Sequence, residues 1–253
     1  MKEITYMDIH KEGEVVLDTA RFRHYHDPKM LSRYDSNFIA FKEMPNKKEF
    51  SYTEKYLQEY HVARGQKHVK FVFPPNEKLD DSLLTNLSSE GYDTGFTELY
   101  KINPRDFPGY EMQKEIEIAH VGANQLEDFL TLNYQQDLVF GSAFASMKQE
   151  NNRSHFKDSA FGQVIAYYNG VPAGGLVAIL KEQTVEIDGL FVLPEFQRKQ
   201  IAAHLQQFVM KSFPEKTVIL LADGEDTPRE MYKKQNYEYV SFQYETVKVF
   251  EED

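Results

Sequence analysis

A chain of 253 residues, 41% hydrophobic and 27% charged, has apolar material for one large domain or two ordinary ones. The absence of cysteine excludes disulfides, thiolate nucleophiles and cysteine-ligated metal or iron–sulfur centres. A net charge of −11 argues against nucleic acid as a partner, since affinity for it comes largely from basic contacts to phosphate. The acid excess is uneven. Residues 1–110 hold 16 Lys and Arg against 18 Asp and Glu, and the remainder holds 13 against 22, so the second half favours a cationic partner such as an amine. No apolar run approaches the ~20 residues of a membrane-spanning helix, and no basic start with an apolar middle marks a signal peptide. A cytoplasmic protein without a membrane partner is expected.

Strand and helix signals alternate along the chain, which predicts a mixed α/β class. In the first half, Phe38–Phe41, Val69–Phe73 and Thr94–Ile102 read as strands, and Glu54–Arg64 and Asp80–Glu90 as helices. His24, His26 and Asp27 stand close together, but no fourth ligand is evident, so solvated loop residues are expected there and no metal. Asn103–Tyr110, with Pro104, Pro108 and Gly109, reads as a linker. The expected division is a smaller α/β domain over residues 1–108 and a second domain over residues 109–253.

In the second half, Glu115–His120 reads as a strand and Ala123–Tyr134 as an amphipathic helix. Gly162–Leu180 is a hairpin, because Asn169–Gly170 supplies the positive φ angles of a two-residue type I′ turn. Thr184–Leu193 makes a third strand. Ile201, Leu205, Phe208 and Val209 recur at helical spacing and give one apolar face to a helix that Pro214 ends. Val218–Ala222 has the continuous apolar run of a buried strand. Thr227–Pro228 reads as an N-cap followed by proline at the first helical position, opening a helix through about Gln235. Tyr239–Phe250 alternates as a final strand.

The two halves share one spacing. Leu87-Ser-Ser-Glu-Gly91-Tyr92 matches Tyr232-Lys-Lys-Gln-Asn236-Tyr237. This is the pattern of a degenerate internal duplication, and equally of any helix capped by a left-handed residue before an aromatic strand.

The segment with chemical content is Leu190 to Leu205. A strand ends at Pro194, and a loop carrying Arg198 and Lys199 runs straight into a helix. Free N–H groups at a helix start, with the positive end of the helix dipole, make an anion site suited to a pyrophosphate.

Here the sequence resembles the acetyl-CoA signature of the GNAT N-acetyltransferase superfamily: a strand ending in Val-x-Pro, then Gln or Arg, two residues, Gly, one residue, and Gly or Ala. This chain has Val192, Leu193 and Pro194, then Gln197, Arg198, Lys199, Gln200, Ile201 and Ala202. The resemblance implies a GNAT fold, a mixed and mostly antiparallel central sheet flanked by helices. It implies acetyl-CoA as cosubstrate, with no metal required. It also implies that the backbone of residues 197–202 holds the CoA pyrophosphate, and that Leu190, Phe191 and Val192 pair with the pantetheine arm. Gln200 departs from the pattern, since the family has glycine there.

Members of the family also end a later helix with Tyr, three residues, Gly and Phe. Tyr232 followed by Asn236 and Tyr237 is similar, and the resemblance implies that Tyr232 protonates the leaving thiolate. Glu186, two residues before Asp188 on one strand face, stands where some members have the carboxylate that takes the acceptor's proton; the alternative is an exposed polar strand face. His204, one turn into the motif helix, is expected at the surface. The implied activity is acetyl transfer from acetyl-CoA to a primary amine of a small molecule or peptide. The alternative is a degenerate GNAT fold that binds CoA or a partner without catalysis, which Gln200 favours.

Overall fold

The computed structural model describes residues 3–224 and 228–250, leaving aside the side chain of Pro228. Along the first half run β1 (Glu14–Asp18), β2 (Phe22–His26), β3 (Phe38–Phe41), α1 (Lys47–Val62), β4 (His68–Val72), α2 (Asp81–Ser89) and β5 (Asp93–Ile102). The second half adds β6 (Ile116–His120), α3 (Leu126–Asp137), α4 (Ser142–His155), β7 (Phe161–Tyr168), β8 (Val171–Leu180) and β9 (Thr184–Val192). It finishes with α5 (Ile201–Ser212), β10 (Thr217–Asp223), α6 (Pro228–Lys234) and β11 (Glu238–Val249).

These elements form two compact units, each discontinuous in sequence. The smaller comprises Lys11–Leu99, Ala222–Arg229 and Val240–Asp253; the larger comprises Met1–His10, Tyr100–Leu221 and Glu230–Tyr239.

In the smaller unit the strand order is β1-β2-β3-β4-β11-β5. β11 lies antiparallel to β4, with Glu245 opposite Val72 and Val249 opposite His68. Phe41, Phe50, Leu57, Phe71, Phe73, Leu87 and Tyr92 fill its core. The helix expected from Glu54 begins earlier, at Lys47. Asn46 is the reason: its side chain accepts the Glu49 N–H, and the Glu49 carboxylate accepts the Asn46 N–H, a capping box that satisfies two helix-start donors.

His24 and His26 are not solvated loop residues. They lie on β2 and are buried, because that strand packs them against Tyr56 and Tyr60 of α1. His61 and His68 are buried beside them, with their rings 4.8 Å apart. Burial pushes the imidazoles of His24 down to about 3, and of His61 and His68 to about 4.

In the larger unit the strand order is β10-β9-β8-β7-β6. Asn169 and Gly170 take φ of 50° and 77°, as a type I′ turn requires, and β7 and β8 pair around them. Phe129 and Leu132 of α3 pack on Ile165, Val177 and Ile179 of these strands. On α5 Ile201, Leu205 and Val209 are buried, as the spacing predicts, but Phe208 is only half-buried, and Ala203, Gln206, Gln207 and Met210 are buried too, so the helix is enclosed on more than one face. His204 is only 2% exposed, contrary to the expected surface position. It stands three residues after Ile201, on the same helical face, and its ring meets Tyr110 at 6.1 Å.

The spacing shared by the two halves corresponds to one helix-end geometry. Gly91 and Asn236 both take left-handed φ, 79° and 65°. The N–H of Tyr92 donates to the Leu87 carbonyl, and that of Tyr237 to the Tyr232 carbonyl, each at 3.0 Å. With the bonds from Gly91 to Ser88 and Asn236 to Lys233, both are Schellman ends. Thr227, the expected cap of α6, lies outside the described residues.

Candidate functional site

β9 is shaped by what its two neighbours leave unpaired. β10 runs parallel to it, with Thr217 opposite Thr184 through Leu220 opposite Ile187. Beyond Ile187 β9 continues to Val192 on the β8 side alone, so Asp188–Val192 offers a backbone edge on the β10 side. Within this stretch the pairing with β8 slips: Phe191 faces Gly175, whereas Asp188 faces Val177. Three steps on β9 oppose two on β8, a bulge with Gly189 at φ 59°. Gly174 makes room for it, since a Cβ there would lie 2.5 Å from the Phe191 carbonyl oxygen.

The strand leads through Pro194 and Gln197 into α5. Arg198 and Gln200 take φ of 61° and 63°, and Gln200 is the cap residue with no side-chain hydrogen bond to the helix start. The first helical hydrogen bond runs from the His204 N–H to the Gln200 carbonyl. The N–H groups of Ile201, Ala202 and Ala203 therefore precede the helical ladder, at the positive end of the helix dipole. Gln197 donates from its side chain to the Val192 carbonyl at 3.2 Å, tying loop to strand. Arg198 is exposed, and the Lys199 ammonium sits 5.1 Å over the Tyr168 ring. Gln200 is accommodated at the glycine position by its left-handed backbone, and its side chain turns to accept the Gln113 amide at 3.2 Å.

Glu186 and Asp188 share one face of β9, as their spacing predicts, but Glu186 is not on an exposed polar face. It is 5% exposed, and its Oε2 accepts the main-chain N–H of His10 at 2.6 Å. Asp188 is half-buried. Tyr232 is buried on α6, its ring 5.4 Å from both Tyr100 and Tyr237. The Tyr237 hydroxyl donates to the Gln206 side chain at 2.8 Å, fixing the end of α6 against α5. Burial, with Tyr232 beside it, holds the Tyr237 phenol well above its usual range.

Residues 123–237 match the acetyltransferase (GNAT) family. The likeness to that family is carried by this segment, which holds α5, β9 and β10. Residues 4–100 match a domain of unknown function (DUF5613). A functionally unknown conserved protein from Staphylococcus epidermidis is 31% identical, with 98% of each chain covered and a TM-score of 0.91. A GCN5-related N-acetyltransferase from Kribbella flavida has a TM-score of 0.61 at 13% identity, covering 93% of this chain and 89% of that one. A tandem GNAT protein of the clavulanic acid pathway has a TM-score of 0.51 at 8% identity, covering 85% and 76%. At such identities the latter two show likeness of fold.

In GNAT terms the signature residues Leu190, Phe191, Val192 and Gln197 to Ala202 lie together, on the bulged strand edge and the helix start it feeds. The open edge and the uncapped N–H groups fit a pantetheine arm and a pyrophosphate. Among the described residues no three His, Asp or Glu side chains are grouped so as to hold a metal ion, and no helix is long and apolar enough to cross a membrane. A cavity of about 370 Å³ lies at the other end of α5, against Phe107, Pro108, Met210 and Pro214, away from the helix start. His10 was not foreseen at Glu186, since 176 residues separate them.

Proposed function

We propose that this chain transfers acetyl from acetyl-CoA to a primary amine by direct attack. The observation that carries this reading is the unpaired, bulged edge of β9 leading directly into the uncapped start of α5. Leu190–Val192 would pair with the pantetheine, and the N–H groups around Gln197–Ala202 would hold the pyrophosphate with Arg198 and Lys199 nearby. Bound acetyl-CoA supplies the reactive thioester. The protein's part is to orient the acceptor and to move protons. Tyr232 would give a proton to the departing sulfur. The acid excess of residues 111–253 suits a cationic amine of a small molecule or peptide.

Calorimetric titration with acetyl-CoA should give one site per chain, followed by CoA release with a panel of amines. A flat titration at millimolar acetyl-CoA would overturn the reading. Binding without release would favour a CoA-binding member that has lost catalysis, a second reading supported by the buried, engaged state of Glu186.

A further inference from the structure

Glu186 has the surroundings of an anchor rather than of a group that meets substrate. It is buried, and the N–H of His10 already occupies its Oε2. The segment that brings His10 there is packed. Ile4, Tyr6 and Ile9 are buried, the Thr5 N–H donates to the Asp8 carboxylate at 2.9 Å, and the Lys181 ammonium donates to the Asp8 carbonyl.

His10 is thereby set over a row of residues that crosses three strands in register: Phe161 on β7 faces Ile179 on β8, which faces Glu186 on β9. Its ring stands edge-on to Phe161 at 5.4 Å, and the residue is partly exposed where Glu186 is closed. On the acetyl-CoA reading, the pyrophosphate lies at the start of α5 and the pantetheine runs back along Val192 to Leu190. At ~3.3 Å per strand residue, the thioester then approaches Asp188 and Glu186, the stretch of β9 beside which His10 is held.

We propose that the His10 imidazole takes the proton of the acceptor ammonium, and that Glu186 positions it through the main-chain N–H. This rests on the acetyl-transfer reading. An imidazole is the side chain suited to take and give a proton at neutral pH. His10 accepts one proton from the ammonium, and the freed lone pair forms the N–C bond at the thioester carbonyl. The C–S bond breaks, and the sulfur leaves with the proton of Tyr232. The amine's other surplus proton restores Tyr232, and His10 returns its own to solvent, so one proton is released per acetyl transferred. Titratable and charged groups in this neighbourhood include Glu186 on β9, Asp8 in the same segment as His10, Lys181 after β8, which bonds the Asp8 carbonyl, and His155 of α4, which stacks on Phe161 at 3.8 Å.

His10→Gln removes the imidazole and keeps the main-chain N–H, so the segment stays anchored. Glu186→Gln keeps an acceptor for that N–H and removes the charge. Both variants of the full chain are assayed for CoA release from pH 5.5 to 9 and for acetyl-CoA binding by calorimetry. His10→Gln should lower kcat by ~10²-fold and abolish the acidic limb of kcat/KM, with acetyl-CoA affinity kept. Glu186→Gln should lose less and keep the limb. Full kcat and an intact limb in His10→Gln, or the larger loss in Glu186→Gln with the limb gone, overturns the assignment. A wild-type chain that binds acetyl-CoA but releases no CoA with any amine overturns acetyl transfer and this role with it. Failure of His10 alone leaves wild-type turnover intact.

Discussion

Gln200 holds a left-handed backbone at φ 63° while its side chain accepts the amide of Gln113 at 3.2 Å. A residue other than glycine in that region costs roughly 1–2 kcal/mol, and glycine recovers part of this against its own unfolded-state entropy of roughly 0.5–1 kcal/mol. Gln200→Gly should therefore change stability by less than ~1 kcal/mol and leave acetyl-CoA affinity equal or tighter. Gln200→Val places a β-branched residue there and should lose ~1–2 kcal/mol by denaturant midpoint. A valine variant as stable as wild type would show that the conformation is not kept in solution.

Arg198 and Lys199 should not contribute equally to CoA binding. Arg198 is exposed at the helix start, whereas the Lys199 ammonium already rests over Tyr168. A charge-assisted bond is worth ~1.5–3 kcal/mol, so Arg198→Ala should raise the acetyl-CoA Kd by ~10-fold or more. Lys199→Ala should have the smaller effect. Titration calorimetry in low salt compares them, and an unchanged Kd in Arg198→Ala removes that side chain from the phosphate site.

Tyr232→Phe keeps the ring that packs between Tyr100 and Tyr237 and deletes only the hydroxyl. Acetyl-CoA affinity should barely move, while turnover with a competent amine falls by ~10²-fold. Unaltered turnover would assign Tyr232 to packing alone.

The buried histidines of the smaller unit make its stability depend on pH. Their folded imidazoles are held at about 3 to 4 by burial, below the unfolded value near 6.5. The folded state thus binds fewer protons. Stability is fully present above pH 6.5 and drains away as pH falls toward 4. Between pH 7 and 5 each of the three should cost about 2 kcal/mol, on the order of 5 kcal/mol together. Denaturant titrations at several pH values measure it, and imidazole NMR identifies the groups. A resonance of His24, His61 or His68 titrating near pH 6.5 in the folded protein would sink the idea.

Legibility in the sequence followed the range of the interactions. The hairpin turn at Asn169–Gly170 and the short strand Phe38–Phe41 are set by neighbouring residues, and they stand where local chemistry puts them. The start of α1 was also local, but it is written in the Asn46–Glu49 box rather than in apolar spacing, so periodicity alone missed seven residues. β1 escaped because it is exposed throughout and shows no alternation. β2 escaped because Arg23, His24 and His26 read as polar, and only packing on α1 buries the two histidines. The same contrast holds at the site. Gln197–Ala202 is a local signature, whereas the bond between His10 and Glu186 belongs to no window of sequence.

The discontinuity of the two units bears on how the chain is made. β4 is buried along its whole length, yet its partner β11 follows it by about 170 residues. At roughly 5–20 residues per second, a nascent β4 waits on the order of ten seconds with one edge open. The larger unit in turn holds Met1–His10 together with Glu230–Tyr239. Neither unit can close while the other half of the chain is still on the ribosome. Synthesis therefore passes through a long interval in which strand edges are open to wrong partners. Cutting the gene near codon 108 should give two fragments that fold only when expressed together.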